Sequence, residues 1–301
     1  MPCYKPLQGY RAKIPNKSGK RSIVFNHNDG YKDLPVEVPC GRCIGCRLER
    51  SRQWAVRCLN EASLHEDNCF ITLTYDDEHI PSDNSLNKEH HQKFMKRLRF
   101  KYRQKKIRFF HCGEYGDESD RPHYHTLLFN HDFEDKELYA DRESGRHYVS
   151  ESLNKLWPYG FSVIGDVTFE SAAYVARYCL KKINGDDAEE HYKSLNPYTG
   201  ELTQIEPEYC NMSLKPGIGQ GWFSQFAEDI YPDDFQVVRG QKMKPPKYYN
   251  GLLEKLDETM HEAVRLKRLE FAKKNSSENT PQRLAVREKV AKAKLTKGRN
   301  L

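Results

Sequence analysis

The chain has 301 residues, enough for one large domain or one domain with appendages, and its net charge is +6. It contains no apolar run of transmembrane length, and its first residues, MPCYKPLQGY, lack the apolar core of a signal peptide. These features argue against a secreted or membrane-embedded protein. We expect a soluble cytoplasmic protein with no membrane partner.

The charge is distributed unevenly along the chain. Residues 1–60 contain 12 Lys and Arg against 4 Asp and Glu, and residues 261–301 contain the same numbers. Residues 61–260 contain 25 Lys and Arg against 35 Asp and Glu. Basic ends around an acidic centre favour a polyanionic ligand held at its edges, although solvated helix faces give a similar pattern.

Apolar spacing and turn residues predict the elements of a central region in chain order. They are a helix over 47–65, a strand over 70–75, a helix capped by Asn87 and ending near Arg103, a hairpin over 107–130, a helix near 147–157, a strand near 161–168 and a helix near 170–183. From residue 70 onward the order is that of a ferredoxin-like split β-α-β fold with one extra helix. We therefore predict an α+β fold with an antiparallel sheet covered by helices.

The flanking segments differ from this core. Residues 1–46 are rich in Gly, Pro, Asn and Lys, and an apolar stripe over 252–264 and a start signal at Thr280–Pro281 predict basic C-terminal helices. We expect three segments: a Cys-rich N-terminal segment with its helix over 1–66, a core with a loop-rich extension over 67–240, and a basic helical tail over 241–301.

The stretch FFHCGEYGDESDRPHYHTLLFN, residues 109–130, carries polar groups inside strand-like runs. His123 and His125 alternate with Tyr124, so they point to one face of a strand. If the hairpin closes with Glu114 opposite His123, all three polar side chains share that face and suit a divalent cation. The HYH triplet alone predicts such a site only weakly.

The segment ESAAYVARYCLKK places Tyr174 and Tyr178 four residues apart, on one helical face. A tyrosine pair of this kind is most often an aromatic stripe against the core. Here it is accompanied by cations and by the predicted Glu and His group, which favours a tyrosine nucleophile attacking a phosphodiester.

The segment CGRCIGC places Cys40, Cys43 and Cys46 at two consecutive CxxC spacings. This spacing predicts a structural zinc site, for which a fourth ligand is needed, and Cys3 is the first choice because it lies in the same irregular region. Reduced, partly buried thiols are the alternative.

These motifs together resemble the HUH endonuclease superfamily, and within it the rolling-circle replication initiators of gokushovirus-type phages of the Microviridae. GEYG followed by RPHYH and then YVARYCLKK carries the likeness. FITLTYDD resembles the first family motif, HYH the second and YVARY the two-tyrosine third. The segments PCGRCIGCRLERSRQWAVR and KPGIGQGW extend the resemblance over most of residues 1–230.

The resemblance implies a metal-dependent, site-specific endonuclease that nicks and rejoins one DNA strand at a replication origin. His123 and His125 would be ligands of Mg²⁺ or Mn²⁺, with Glu114 the third ligand. Tyr174 and Tyr178 would act as alternating nucleophiles.

The basic residues near these motifs also have expected roles. The family often has a lysine three residues after a catalytic tyrosine; Lys181 occupies that place after Tyr178, whereas Arg177 occupies it after Tyr174. Because Arg cannot exchange protons as Lys can, the two tyrosines need not be equivalent. The expected DNA-contacting residues are Arg177, Lys182, Arg42 and Arg47.

The expected partners are single-stranded origin DNA, a host helicase and a host DNA polymerase in the bacterial cytoplasm, because the chain lacks a P-loop for unwinding. Two alternatives stand beside this interpretation. One is a single-tyrosine HUH transposase, against which the tyrosine pair argues. The other is a non-catalytic, zinc-stabilised nucleic-acid-binding protein.

Overall fold

The computed structural model describes residues 3–17, 19–116, 119–142, 145–178, 187–195, 200 and 202–297. The chain forms two compact units. The first comprises residues 1–50 and 265–301, and the second comprises residues 51–264.

The described strands and helices are numbered in chain order. The strands are β1 (Leu7–Ala12), β2 (Ile23–Val24), β3 (Gly30–Val38), β4 (Asn68–Tyr75), β5 (Arg108–Tyr115), β6 (Pro122–Phe129), β7 (Glu137–Arg142), β8 (Gly145–Val149), β9 (Gly160–Gly165), β10 (Lys193–Leu195), β11 (Leu202–Gln204), β12 (Tyr209–Met212), β13 (Gln236–Val238) and β14 (Gln241–Met243). The helices are α1 (Ile44–Ala62), α2 (Lys88–Lys101), α3 (Glu151–Leu156), α4 (Phe169–Tyr178), α5 (Asp187–His191), α6 (Gln220–Ile230), α7 (Lys247–Leu256), α8 (Glu258–Lys274) and α9 (Pro281–Lys297), with a 3₁₀ turn at Ser276–Asn279.

The first unit contains a small antiparallel sheet in the order β2-β1-β3. Helix α1 begins in this unit at Ile44, within the Cys-rich segment, and α9 begins at Pro281, as the start signal predicts. The basic C-terminal segment is helical, as expected.

The second unit is organised around a seven-stranded sheet in the order β12-β5-β6-β4-β9-β8-β7. All of its pairings are antiparallel. The predicted antiparallel sheet with helices is therefore confirmed, and the predicted hairpin over 107–130 is the central pair β5 and β6. Asn87 caps α2 as predicted, since its side chain accepts hydrogen bonds from the N–H groups of Glu89 and His90.

Each face of the sheet has its own apolar core. On one face, residues of α2 and α3 pack against Ile71, Leu73 and Tyr124 of β4 and β6. On the other face, Phe110 and Leu127 pack against Ala55 and Cys58 of α1 and against small residues of α4. A third cluster joins α6, α7 and the start of α8. Helices therefore hold the central strands from both sides.

The structure differs from the predicted elements at two places. The helix expected near 147–157 is shorter, and the hairpin of β7 and β8 precedes it. Strand β7 is mostly exposed on both faces, so its sequence lacks the alternation of apolar and polar residues that predicts a strand. The predicted stripe over 252–264 is divided between α7 and α8, because the Asp257 side chain accepts a hydrogen bond from the N–H of Met260 and caps the second helix.

Within the ranges that the structure describes, no helix is both long and apolar enough to cross a membrane.

Three buried histidines pack among aromatic side chains on the α2 side of the sheet. The imidazole rings of His91 and His111 stack in parallel with centroids 3.6 Å apart, and His131 packs against Tyr102 and Phe133. Burial lowers the pKa of His91, lowers that of His111 to about 3 and lowers that of His131 to about 4. These rings are therefore neutral in the folded protein at neutral pH.

The free energy of unfolding should decrease as the pH falls below about 6.5, the ordinary histidine pKa. In that range the unfolded chain binds protons that the buried rings do not accept, so unfolding becomes more favourable by up to about 1.4 kcal/mol per pH unit for each such histidine. Urea unfolding at pH 7.5 and pH 5 measures the difference. The His131→Leu variant should show a smaller difference than the wild type, and an equal one would contradict the assignment for His131.

Candidate functional site

The pairing of β5 with β6 brings three polar side chains onto one face of the large sheet. Glu114 lies opposite His123, and Cys112 lies opposite His125. Because opposed residues of antiparallel strands project to the same side, as do residues two apart in one strand, Glu114, His123 and His125 share this face. The Nε2 atoms of His123 and His125 lie 3.0 and 2.7 Å from Glu114 Oε1.

The three side chains differ in their access to solvent. The Glu114 side chain is 1% exposed and that of His125 is 7% exposed, whereas that of His123 is 17% exposed. The group therefore lies just below the surface and is open to solvent on the His123 side.

The carboxyl of Glu114 is charged despite its burial. Burial alone would raise the pKa of Glu114, but the adjacent His123 and His125 imidazoles hold it below its ordinary value. Glu114 is thus a buried carboxylate kept anionic by two imidazoles.

Two further contacts orient the histidine rings. The Nδ1 atom of His125 lies 2.9 Å from Thr72 Oγ1, and the Nδ1 atom of His123 lies 3.0 Å from the carbonyl oxygen of Arg121. Because a carbonyl oxygen only accepts, Nδ1 of His123 carries a proton, and a neutral His123 directs its Nε2 lone pair at Glu114 Oε1. His123 Nε2 and Glu114 Oε1 are then two acceptors 3.0 Å apart, and a second proton or a cation between them would remove their repulsion.

The donor set and its spacing therefore fit a metal ion. Glu114, His123 and His125 each offer one ligand atom, and these atoms lie within 4.8 Å of one another. Imidazoles held by outer hydrogen bonds are typical of metal ligands. One carboxylate with two imidazoles can bind Mn²⁺ and similar divalent cations.

Helix α4 brings one tyrosine to this group. The ring of Tyr174 lies edge-on to the ring of His125, with centroids 5.1 Å apart. The buried side of α4 carries Ala172, Val175 and Ala176, whose small side chains let the helix lie close to the sheet. Tyr174 is partly buried at the edge of the same cluster.

The structure describes only part of the other predicted residues on this segment, which are Arg177, Tyr178, Lys181 and Lys182. Tyr178 is the last residue of α4, but its side chain lies outside the part of the chain that the structure describes, as do Lys181 and Lys182. Arg177 is exposed on the helix surface.

Four cysteines converge in the first unit. Cys3, Cys40, Cys43 and Cys46 place their sulfur atoms within 4.8 Å of one another, so this group could hold a metal ion. The Sγ atom of Cys3 is 3.8 Å from that of Cys40 and 4.0 Å from that of Cys43. These distances are far longer than the disulfide bond length of about 2.05 Å.

Hydrogen bonds favour a thiolate at Cys43, whereas burial raises the pKa of Cys3 and that of Cys46. The N–H groups of Tyr4, Cys40 and Cys43 each donate to a cysteine sulfur at 3.3 Å. Although burial raises the pKa of Cys43, hydrogen bonds from the backbone of Tyr4 and Cys46 and from neighbouring thiols lower it to about 6. A thiolate is the form that binds metal.

Arg42 is exposed and Arg47 is half-buried, and both lie within the Cys-rich segment. Seven of the described cysteines form no disulfide, whereas Cys210 is disulfide-bonded.

Sequence reasoning does not find Thr72 and Arg121, the residues that orient the rings. Thr72 lies in FITLTY, whose strand character is clear, but its contact depends on β4 pairing with β6 so that Thr72 opposes His125. No local pattern in a single sequence specifies that register.

Comparisons with known proteins agree with these motifs. Residues 68–183, which include FITLTY, HYH and YVARY, match the family model of the replication-associated protein ORF2/G2P. The chain is 34% identical to the replication-associated protein ORF2 of Spiroplasma virus 4, over 91% of this chain and 88% of that protein. It is 33% identical to the replication-associated protein VP4 of Bdellovibrio phage phiMH2K, over 85% of this chain and 78% of that protein. It is 32% identical to the replication-associated protein ORF4 of Chlamydia phage 1, over 76% of this chain and 57% of that protein.

The extent and identity of these matches show that the chain belongs to the family of phage replication-associated proteins. The resemblance to phage replication proteins that the motifs indicate is thereby confirmed. No solved structure matches the chain significantly.

The metal-ligating group can be tested by metal binding alone. His125→Ala should abolish Mn²⁺ binding at this group, and Thr72→Val should weaken it about 10- to 100-fold by removing a hydrogen bond that orients the ring. Isothermal titration with Mn²⁺, after zinc has been allowed to occupy the cysteine cluster, measures both effects.

Thr74→Val is the matched control, because Thr74 lies two residues along the same strand, opposite His123, with no described side-chain bond to either histidine. It should bind Mn²⁺ as the wild type does. Equal losses in the Thr72 and Thr74 variants would show that a general disturbance of β4, not orientation of His125, is responsible.

Proposed function

We propose that this protein nicks and rejoins one DNA strand at a phage replication origin through a covalent phosphotyrosine intermediate, and thereby starts and ends rolling-circle replication. The observation that carries the proposal is the contact of Tyr174 with His125, which places a tyrosine beside a group of metal-ligating residues. The family relationship supports a role in replication initiation.

The strand order supports an HUH endonuclease core. Chain order β4-α2-β5-β6-α3-β9 with sheet order β5-β6-β4-β9 corresponds to the split β-α-β arrangement of ferredoxin-like folds, into which the hairpin of β7 and β8 is inserted. Both intervening helices pack on the face opposite the ligand-bearing face. That leaves the ligand-bearing face available to α4.

Tyr174 would supply the nucleophile. Its hydroxyl gives up its proton as Oη attacks the phosphorus of the scissile phosphodiester. A bond from Oη to phosphorus forms, the bond from phosphorus to the 3′ oxygen breaks, and that oxygen takes up a proton. The products are a 5′-phosphotyrosine and a free 3′-hydroxyl, and attack of a 3′-hydroxyl on the phosphotyrosine rejoins the strand.

Glu114, His123 and His125 would hold a divalent cation, Mg²⁺ or Mn²⁺, which when bound would polarise the scissile phosphate. Thr72 and the Arg121 carbonyl keep both imidazoles aimed at the ion. Burial of Glu114 excludes water from one side of the group.

Tyr178 would be the second nucleophile, with Lys181 assisting proton transfer. Termination requires a cut at the regenerated origin while the first phosphotyrosine still holds the old 5′ end. Two tyrosines one helical turn apart, about 5 to 6 Å between Cβ atoms, would let the enzyme pass the strand from one to the other.

The DNA-contacting role of Arg42, Arg47, Arg177 and Lys182 follows from their charge and their places beside the motifs. The substrate would be single-stranded origin DNA in the host cytoplasm. Unwinding and synthesis would be left to a host helicase and a host DNA polymerase.

We also propose that the cysteine cluster binds structural zinc. Four sulfurs at the corners of a tetrahedron, each about 2.3 Å from a central zinc, are about 3.8 Å apart. The sulfur separations of 3.8 and 4.0 Å are close to that value. Cys3 would be the fourth ligand and would join the N-terminus to the CGRCIGC segment.

The covalent intermediate provides the test of the enzymatic proposal. Tyr174→Phe and Tyr178→Phe variants should each still form a covalent adduct with a single-stranded origin oligonucleotide in Mn²⁺, because either hydroxyl would reach the phosphate. The double variant should form none. Denaturing electrophoresis of the labelled oligonucleotide measures the adduct.

Tyr139→Phe, at an exposed position on β7, is the control and should form adduct as the wild type does. Adduct in the double variant would place the nucleophile elsewhere. If one single variant lost all cleavage and the other none, including in termination assays, only one tyrosine would be catalytic and the chain would resemble a single-tyrosine enzyme.

The zinc proposal predicts one zinc per chain in protein purified without chelators. Cys40→Ser/Cys43→Ser/Cys46→Ser should lose the zinc and unfold more readily, because metal binding contributes to folding free energy. Cys69→Ala, which changes a buried cysteine outside the cluster, should keep it. Elemental analysis measures the metal, and its absence from folded, active protein would refute the site.

A further inference from the structure

A cation-lined cavity opens in the second unit, at the end of β5 that is remote from Glu114. Its volume is about 670 Å³, and its walls are the end of α2, the turn before β5 and residues 212–215. Six of the lining residues are cations and none is acidic: Arg99, Arg103, Lys105, Lys106, Arg108 and Lys215.

Only two of these cations have carboxylate partners among the described residues. Lys105 lies 2.7 Å from Asp67, and Arg108 forms a buried ion pair with Glu61. Within the described ranges, Arg99, Arg103, Lys106 and Lys215 have none. Four like charges around one cavity repel each other, and the arrangement is stabilised only when an anion enters.

Arg99 is held in place to meet such an anion. Its guanidinium lies over the ring of Phe109, 5.3 Å from the ring centroid, and donates a hydrogen bond to the Ile107 carbonyl at 3.3 Å. Partial burial lowers the pKa of Arg99, which shows that hydration of its charge is reduced. An anionic ligand would replace the lost hydration.

The cations also form a distinct run in the sequence. Residues 93–108 contain nine Lys and Arg and no Asp or Glu. This run lies within the segment 61–260 that is acidic as a whole, so a charge count over long segments conceals it.

The cavity and the metal-ligating group are joined by one rigid strand. Arg108 begins β5 and Glu114 lies six residues later, which at about 3.3 Å per residue is a separation of roughly 20 Å. A DNA strand stacked as in a duplex, at 3.4 Å per nucleotide, spans this distance in about six nucleotides. A cavity at this distance is too far for the scissile phosphate but suits the backbone on one side of it.

We propose that this cavity binds the phosphodiester backbone of the origin DNA on one side of the nick, about six nucleotides from the scissile phosphate. The inference rests on the proposed function for the identity of the DNA, but it concerns a separate surface. The cavity would set the direction in which the strand runs past Tyr174.

The test compares binding of short and extended oligonucleotides in chelator, so that cleavage does not interfere. The short oligonucleotide spans two nucleotides on each side of the nick, and the others add ten nucleotides on the 5′ or the 3′ side, as single strand or as duplex. At low salt, the wild type should bind oligonucleotides extended on one of the two sides at least tenfold more tightly than the short oligonucleotide. The Arg103→Glu/Lys106→Glu variant should lose this increase in affinity for the extended oligonucleotide, and it should bind the short oligonucleotide with the affinity of the wild type.

Salt dependence distinguishes single strand from duplex. The slope of log affinity against log salt should fall by about 0.7 for each single-strand phosphate that the variant no longer neutralises, or by about 0.9 for each duplex phosphate. Fluorescence anisotropy over a salt series gives this slope.

Lys96→Glu/Lys255→Glu is the matched control, because both lysines are exposed, carry no described ion pair and lie outside the cavity. It makes the same change in net charge, and it should still bind the extended oligonucleotide more tightly than the short one. Equal losses in the two double variants, or no gain from any extension in the wild type, would overturn the proposal. Adduct formation on the short oligonucleotide in Mn²⁺ tests the enzymatic proposal separately, so either can fail without the other.

Discussion

The antiparallel register of β5 and β6 is the constraint on which the candidate site depends. Glu114 meets the two histidines only because it lies opposite His123, and a slip of one residue would turn it to the other face of the sheet. Neighbouring strands pair with the hairpin on both sides. Phe110 on one face and Tyr124 on the other are fully buried, so any slip would also expose core side chains.

Packing on both sides of the sheet makes this register a rigid platform. The helices α2 and α3 fill one face, while α1 and α4 cover the part of the other face that lies beyond the ligands. The same apolar cluster that anchors α4 fixes Tyr174 beside His125. Stability and the placement of Tyr174 therefore depend on the same contacts, and small residues of α4 make the close approach feasible.

Charge is organised at a finer scale than the composition of long segments indicates. The middle of the chain is acidic on average, yet the run over 93–108 has no acidic residue and its end lines a cavity at one end of β5. The other end of the same strand carries a buried carboxylate between two imidazoles. The two ends of a single strand thus carry opposite charge: cations line the cavity at one end, and a carboxylate lies between two imidazoles at the other.

The sequence by itself determined the hairpin, the cap of α2 at Asn87, the placing of His123 and His125 on one face of a strand and the helical spacing of the tyrosines, because each depends on residues close together in the chain. The sequence also pointed to Cys3 as the partner of the CxxC cysteines, and the structure brings the four together. Only the tertiary structure decided that Thr72 orients His125 and that residues from 99–109 and 212–215 line one cavity. It also decided that a hairpin, and not more helix, precedes α3. Strand register and packing link residues far apart in the chain, and a single sequence carries no local pattern for such contacts.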